Sequence, residues 1–145
     1  KLPKLDMDLV VYIPSFELKT EDSRKVLPKQ FQMKDAATAS AISNLMVSSL
    51  LTGDYKLAGK MMESDLFHET YRAKLIPNYY EIRSHARELG SYGTVISGAG
   101  PTMISFVPEG QGEAIAKEMK TIFPDYDIDN LSIDDEGLRV KKIAD

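Results

Sequence analysis

The sequence has 145 residues, which is enough for one domain with its own core and too short for two to be expected. Its formal net charge of -4 argues against a nucleic-acid binder, and no apolar run approaches the roughly 18 residues that a membrane-spanning helix needs. The absence of cysteine excludes disulfides and thiolate metal sites and favours a reducing compartment such as the cytoplasm.

The chain opens with "KLPKLDMDLVVYIPSF", which has neither an initiator methionine nor a signal peptide and enters an apolar run almost at once. This beginning is typical of a segment taken from a longer chain, or of an engineered piece. The run from Asp8 to Pro14 is short, β-rich and closed by proline, which predicts a buried strand.

Helical patterns fill the middle of the chain. "ELKTEDSRKVLP" predicts a loop leading into a short helix that stops at Pro28. From Lys34 to Thr52, apolar and small residues recur at helical spacing with few charges, so a mostly buried helix ending at Gly53 is expected. "DYKLAGKMME" predicts a shorter helix, and "DLFHETYRAKLIP" a turn or two of helix before a proline. Asn78 then caps "YYEIRSHAREL", with Gly90 as its terminator.

The pattern changes to strands towards the end. "TVISGAG" and "PTMISFVP" are β-rich, and "GQGEAIAKEMKTIF" is an amphipathic helix with Ile115, Met119 and Ile122 facing inward. "DYDIDNLSIDDEGLRVKKI" predicts an alternating strand, a turn at "DDEG" and a last short strand. The order of elements predicts an α+β fold with a small antiparallel sheet and helices on one face.

The segment "SGAGPT", residues 97 to 102, is the first candidate site. Gly98 and Gly100 allow positive φ and can present successive N–H groups to an anion. A plain β-turn between two strands explains the same letters, and no Gly-Lys-Ser/Thr follows as in a P-loop. Spacing alone leaves both interpretations open.

Arg24 and Arg72 stand at helix-like positions near proline stops. A guanidinium fork suits bidentate binding of a carboxylate better than a lysine does, although a solvated arginine on a helix face explains either one taken alone. The sequence does not show whether the two converge.

Other polar residues have simpler explanations. Thr20 and Ser23 are typical helix caps. Asp65 and Glu69 stand at i,i+4 and could form an acid pair, but surface charge is the simpler explanation, because catalytic carboxylates need burial or a partner that shifts their pKa. His68 is explained as a surface or hydrogen-bonded histidine. The two histidines lack a second ligand at helical spacing, so no metal site is predicted, and no nucleophile with its base can be assigned.

Three stretches taken together carry a family resemblance. "YIPSFELKTEDSRKVLP", "HETYRAKLIPNYYEIR" and "GSYGTVISGAGPTMISF", in this order and spacing, resemble the C-terminal half of the GHMP kinases (galactokinase, homoserine kinase, mevalonate kinase, phosphomevalonate kinase). The resemblance runs from about Leu9 to Arg139. "SGAGPT" is similar to the third signature of the whole family, whereas "SRKVLP" and "ETYRAKLIP" narrow the resemblance to the members that phosphorylate L-homoserine.

The resemblance implies a ferredoxin-like α+β sandwich over residues 1–145 that forms one wall of an active-site cleft, in a cytoplasmic enzyme of threonine biosynthesis. It implies that Arg24 and Arg72 hold the substrate α-carboxylate and that Thr20 lines the same site. It further implies that the loop formed by Ser97, Gly98, Ala99, Gly100 and Thr102 lies beside the ATP phosphates. The implied reaction uses ATP and Mg²⁺ to convert L-homoserine to O-phospho-L-homoserine, in a homodimer.

One departure limits what the chain can do alone. The family's main ATP signature, a Pro-x-x-x-Gly-Leu-Gly-Ser-Ser-Ala loop, is absent, so the N-terminal ATP-binding domain and the Mg²⁺ ligands are expected elsewhere. We therefore expect at most half an active site. Another GHMP small-molecule kinase and a non-catalytic ferredoxin-like amino-acid-binding module remain as alternatives.

Overall fold

The computed structural model describes residues 3–134 and 136–140. Within these residues, one strand precedes five helices and a 3₁₀ turn, and three more strands and a sixth helix follow. In chain order these elements are β1 (Met7–Pro14), α1 (Thr20–Lys25), α2 (Met33–Thr52), α3 (Tyr55–Met62), α4 (Glu69–Arg72), a 3₁₀ turn (Ala73–Leu75), α5 (Tyr79–Glu88), β2 (Gly93–Ile96), β3 (Met103–Pro108), α6 (Gly112–Ile122) and β4 (Tyr126–Leu131).

The four strands form one antiparallel sheet in the order β2-β3-β1-β4. This order, with helices in the β1–β2 and β3–β4 connections, is the ferredoxin-like arrangement. β1 lies inside the sheet, which is why its Val10 and Tyr12 are fully buried. The predicted α+β class and antiparallel sheet are confirmed.

The main core lies between the sheet and helices α5 and α6. Tyr79, Ile82 and Ala86 of α5 are buried there at the predicted helical spacing. In α6, Ile115 and Met119 face inward as predicted, but Ile122 is 37% exposed. Phe123, one residue later, is buried in its place because α6 ends there.

Helix α2 does not match its prediction. It is not mostly buried: only Ala39 and Ser49 are, and Leu45, Val47 and Leu51 are exposed. The reason is that α2 packs chiefly on α3, which has only eight residues, so a single strip of its circumference is covered. The scarcity of charges on α2 was therefore misleading evidence for burial.

Helix α3 touches β2 through a contact between backbones. A Cβ added to Gly59 would lie 1.9 Å from the carbonyl oxygen of Tyr92, and one added to Gly93 would lie 2.6 Å from the carbonyl oxygen of Gly59. Neither position therefore accepts a side chain without moving the helix away from the strand. This contact anchors the α2–α3 pair to the edge of the sheet.

The end of the chain matches the prediction in part. In β4, Tyr126 and Ile128 are buried while Asp127 and Asp129 are exposed, which confirms the alternating strand. Residues 136–140 form no strand, and Leu138 is 93% exposed. Residue 135 of the predicted turn and residues 141–143 of the predicted last strand lie outside the described residues.

Candidate functional site

The loop between β2 and β3 is closed by its own backbone. The Ser97 N–H donates to the carbonyl of Thr102 (2.8 Å) and the Gly100 N–H to the carbonyl of Ser97 (3.0 Å). Gly98 and Gly100 have φ values of 60° and 78°, which L side chains rarely adopt. The expected positive φ at both glycines is confirmed, and the loop is held as a tight turn.

The two glycines differ in what surrounds them, which makes a testable pair. A Cβ at Gly100 would lie 3.2 Å from the side chains of both Ile76 and Ile96, whereas a Cβ at Gly98 would meet nothing within 4 Å. We expect Gly98→Ala to lower the free energy of unfolding by about 1 kcal/mol, because alanine is strained at this φ. Gly100→Ala should lower it by about 1 kcal/mol more, because the added Cβ also crowds the two isoleucines. Denaturant unfolding of the two variants measures this, and equal losses would contradict the packing difference.

Arg72 and Ser23 hold this loop from the inside. The Arg72 Nε donates to the carbonyl of Ser23 (3.2 Å) and its Nη1 to the carbonyl of Gly98 (3.1 Å). The Ser23 Oγ donates to the carbonyl of Ala99 (2.8 Å), so Ser23 does not act as the helix cap that its position suggested. Helix α1, helix α4 and the glycine loop therefore meet at the Arg72 guanidinium.

The Arg72 guanidinium is buried, and the described part of the chain supplies no counter-ion for it. The residue is 8% exposed, and in the described ranges 3–134 and 136–140 no carboxylate pairs with it. Two of the five guanidinium N–H donors are occupied by the carbonyls above, which leaves three. A buried cation without a partner of opposite charge is costly, so an anion at this position would be stabilised.

Arg24 and Thr20 lie on the same short helix as Ser23, one turn apart. Both are exposed, and within the described residues neither side chain forms a hydrogen bond or an ion pair. Helix α1 contacts Arg72 through the Ser23 carbonyl. Within the described residues, however, Arg24 and Arg72 share no hydrogen-bond or ion-pair partner. Their predicted ligand contacts remain predictions.

An open cavity of about 440 Å³ adjoins Arg72 and Gly98. Its volume falls in the range of small-molecule sites. Most of its wall is apolar and comes from α2, α3, β2 and the segment before α4, including Ile42, Met46, Met61, Met62, Phe67 and Val95.

The acidic pair Asp65 and Glu69 has two structural roles. Asp65 caps α4, because its Oδ1 accepts from the Phe67 N–H (3.2 Å) and its Oδ2 from the Glu69 N–H (2.8 Å). Glu69 is only 7% exposed, so the interpretation of Glu69 as surface charge is wrong. Its Oε1 accepts from the Ile96 N–H (2.8 Å) and its Oε2 from the Tyr79 hydroxyl. Burial raises the pKa of Glu69 above its usual range, although these two hydrogen bonds oppose the shift.

A second carboxylate, the partly buried Glu63, lies nearby with two arginines. It pairs with Arg83 (2.9 Å) and Arg87, and its Oε1 accepts from the Thr94 N–H (2.9 Å). Burial alone would raise the pKa of Glu63, but the hydrogen bonds from Arg83 and Thr94, the Arg83 charge and the bond from Arg87 outweigh it and hold the pKa below its usual range. No sequence pattern marked this group, because its partners lie 20 to 31 residues away.

The lowered pKa of Glu63 predicts a pH-dependent stability. Its ionised form stabilises the fold above the unfolded-state value, about pH 4.3, and this contribution is lost as the pH falls through the lower folded-state value. We expect Glu63→Gln to lose about 2 kcal/mol of unfolding free energy near pH 7 and progressively less below about pH 4.3. Denaturant unfolding across this range measures the difference, and a difference that stays constant with pH would contradict the assignment.

Within residues 3–134 and 136–140, no three histidine, aspartate or glutamate side chains lie together as a possible metal site. In the same part of the chain, no helix is long and apolar enough to cross a membrane.

Comparison with known proteins places the chain in a family. Residues 46–125 match the family described as "GHMP kinases C terminal". The chain is 46% identical over 144 residues to homoserine kinase of Oceanobacillus iheyensis, covering 98% of this chain and 49% of that protein. It is 42% identical over 138 residues to homoserine kinase of Bacillus licheniformis, covering 95% of this chain and 45% of that protein.

Solved structures agree with the sequence comparison. Homoserine kinase from Cytophaga hutchinsonii superposes with a TM-score of 0.75 at 28% identity, covering 90% of this chain and 42% of that one. Mevalonate kinase of L. major shares the fold, with a TM-score of 0.64 at 20% identity, covering 86% of this chain and 42% of that one. The chain belongs to the GHMP kinase family, as its C-terminal domain, and the resemblance seen in the sequence is confirmed. It spans about half the length of the curated relatives it matches.

Proposed function

We propose that the chain is the C-terminal, substrate-binding half of a homoserine kinase. The complete enzyme would transfer the γ-phosphoryl group of ATP to the side-chain hydroxyl of L-homoserine, giving O-phospho-L-homoserine and ADP for threonine biosynthesis in the cytoplasm. Relatives carrying the name homoserine kinase, at up to 46% identity and about twice the length of this chain, support the assignment.

The observation that carries the proposal is the buried guanidinium of Arg72, which has no ion-pair partner among the described residues. Two backbone carbonyls hold its orientation, and its three remaining N–H donors are of the kind that a carboxylate accepts. Homoserine carries a carboxylate at one end and the reacting hydroxyl at the other. Fixing the carboxylate therefore directs the hydroxyl, and phosphoryl transfer depends chiefly on such positioning and on charge neutralisation.

We assign Arg24 and Thr20 to the outer side of the same site. Arg24 is exposed and carries no ion pair within the described residues, so its guanidinium is available as a second contact for the carboxylate. Thr20, one turn earlier on α1, lies on the same side of the helix and offers a hydroxyl to the amino acid.

We assign the ATP-facing role to the backbone of the loop formed by Ser97, Gly98, Ala99, Gly100 and Thr102. The Gly98 carbonyl points towards Arg72. The Gly98–Ala99 peptide is trans, so the Ala99 N–H points the opposite way, and within the described residues it has no acceptor. The loop therefore separates the carboxylate site from a face with a free N–H group, which suits a neighbouring phosphate.

The other half of the active site would come from an N-terminal ATP-binding domain carrying the Gly-Leu-Gly-Ser-Ser loop. We place the Mg²⁺ ligands in that domain and assign no residue of this chain to the metal. The intact enzyme would act as a homodimer.

An ADP-release assay tests this proposal on two proteins, the isolated chain and the full-length protein that contains it. We expect the full-length protein to release ADP in response to L-homoserine and the isolated chain to release none. Normal turnover by the isolated chain would contradict the half-site assignment. Homoserine-independent ADP release by the full-length protein would contradict the substrate. Calorimetry separates the sensor alternative, because a free-standing amino-acid-binding module would bind homoserine or threonine without any partner.

A further inference from the structure

Strand β2 lies at an edge of the sheet, so one row of its backbone N–H groups has no neighbouring strand. The Ser97 N–H, just beyond β2, points towards β3, and the N–H groups of Thr94 and Ile96 alternate with it and point outward. The carboxylates of Glu63 and Glu69 accept these two N–H groups at 2.9 and 2.8 Å. The two glutamates thus accept the hydrogen bonds that a neighbouring strand would otherwise accept at this edge.

The two glutamates differ in what they join to the sheet. Glu69 lies in α4, one turn before Arg72, and its partner Ile96 lies two residues before Gly98. The Glu69–Ile96 bond therefore connects the same two segments that the Arg72–Gly98 bond connects. Glu63 follows α3, and its partner Thr94 lies further from the glycine loop.

The Glu69 carboxylate is held from both sides. One oxygen accepts the Ile96 N–H, and the other accepts the Tyr79 hydroxyl, which itself accepts from Arg83 at 2.9 Å. The nearby charge of Arg83 partly compensates Glu69, and Glu69 forms no ion pair with Arg72 within the described residues. Arg72 therefore keeps its charge available for a ligand.

We propose that Glu69 is a positioning residue for Arg72, fixing α4 to the edge of β2 so that the guanidinium meets both the Gly98 carbonyl and the substrate carboxylate. The inference rests on the proposed function, because it assumes that Arg72 binds that carboxylate. Burying a glutamate is energetically costly. On this proposal, Glu69 is buried because it orients Arg72, in addition to any contribution to stability.

Steady-state kinetics of the full-length protein tests the proposal with Glu69→Ala, Glu69→Gln and the matched control Glu63→Ala. Glu69 is buried and Glu63 partly buried, and each accepts one β2 N–H, so both alanine variants should lose stability. Only Glu69→Ala should raise the KM for homoserine, by about tenfold, with the KM for ATP unchanged. Glu69→Gln keeps an acceptor for the Ile96 N–H, so it should recover most of the loss. If Glu69→Ala does not fold, the unfolding curve of Glu69→Gln shows whether that variant is folded, and its kinetics can then be compared with the wild type.

A double mutant separates this inference from the proposed function. If Glu69 acts through Arg72, adding Glu69→Ala to Arg72→Ala should change the homoserine KM no further. Equal homoserine KM values for Glu69→Ala and Glu63→Ala, with Arg72→Ala still impaired, would overturn the positioning role alone. An unchanged homoserine KM in Arg72→Ala would instead overturn the carboxylate site itself, and the positioning role with it.

Discussion

Replacing Arg72 with alanine should raise the KM for homoserine on the order of 100-fold in the full-length protein and leave the KM for ATP nearly unchanged. Removing one partner of a buried, hydrogen-bonded charge pair costs roughly 2–5 kcal/mol, and about 2.7 kcal/mol corresponds to 100-fold. The expected change is large because the guanidinium is held by two carbonyls and has no ion-pair partner among the described residues to share its charge. Initial-rate kinetics with each substrate varied in turn measures both constants.

Two variants serve as controls for this prediction. Arg72→Lys keeps the charge but loses the fork, so its homoserine KM should lie between those of the wild type and Arg72→Ala. Lys74 is exposed two residues further on, so Lys74→Ala removes a positive charge of the same segment without touching the site. Similar homoserine kinetics in Arg72→Ala and Lys74→Ala would show that Arg72 contributes only general charge.

Replacing Gly59 with alanine should cost about 3 kcal/mol or more of unfolding free energy. The added Cβ would lie 1.9 Å from the Tyr92 carbonyl oxygen and 2.2 Å from its carbon, and backbone atoms cannot turn away as a side chain can. The loss should appear although alanine is the better helix former by about 1 kcal/mol. Denaturant unfolding measures it.

The exposed Lys60 on the same helix supplies the control, since Lys60→Ala should stay within about 0.5 kcal/mol of the wild type. If Gly59→Ala were as stable as Lys60→Ala, the close approach of α3 to β2 would be wrong.

The existence of most helices and strands was predictable because local signals mark them. Gly53 ends α2 in the left-handed conformation, and the alternation of Asp127 and Asp129 with buried neighbours marks β4. The burial of α2 was not predictable, because it depends on how much of the circumference α3 covers. The packing role of Gly59 was not predictable either. In a sequence, a glycine inside a helical pattern indicates only a lower helix stability, and its contact with β2 is visible only in the fold.

The candidate site likewise has features that the sequence predicts and features that only the fold shows. Arg72 was a candidate because of its residue type and the family resemblance, and a guanidinium predicts a carboxylate as its ligand. Its partners Ser23 and Gly98 lie 49 and 26 residues away, and backbone carbonyls leave no mark in a sequence. The burial of Glu69 was not predicted because its partner, the Ile96 N–H, lies 27 residues away. That N–H points out of the sheet only because β2 is an edge strand, which the sequence does not show.

The measurement that tests the central claim most directly is a crystal structure of the full-length protein with L-homoserine and a non-hydrolysable ATP analogue. The proposed site predicts both carboxylate oxygens of homoserine within about 3 Å of the free N–H donors of Arg72, with the hydroxyl directed towards the γ-phosphate. Homoserine bound with its carboxylate away from Arg72, or with Arg72 paired to a carboxylate of the protein, would contradict it.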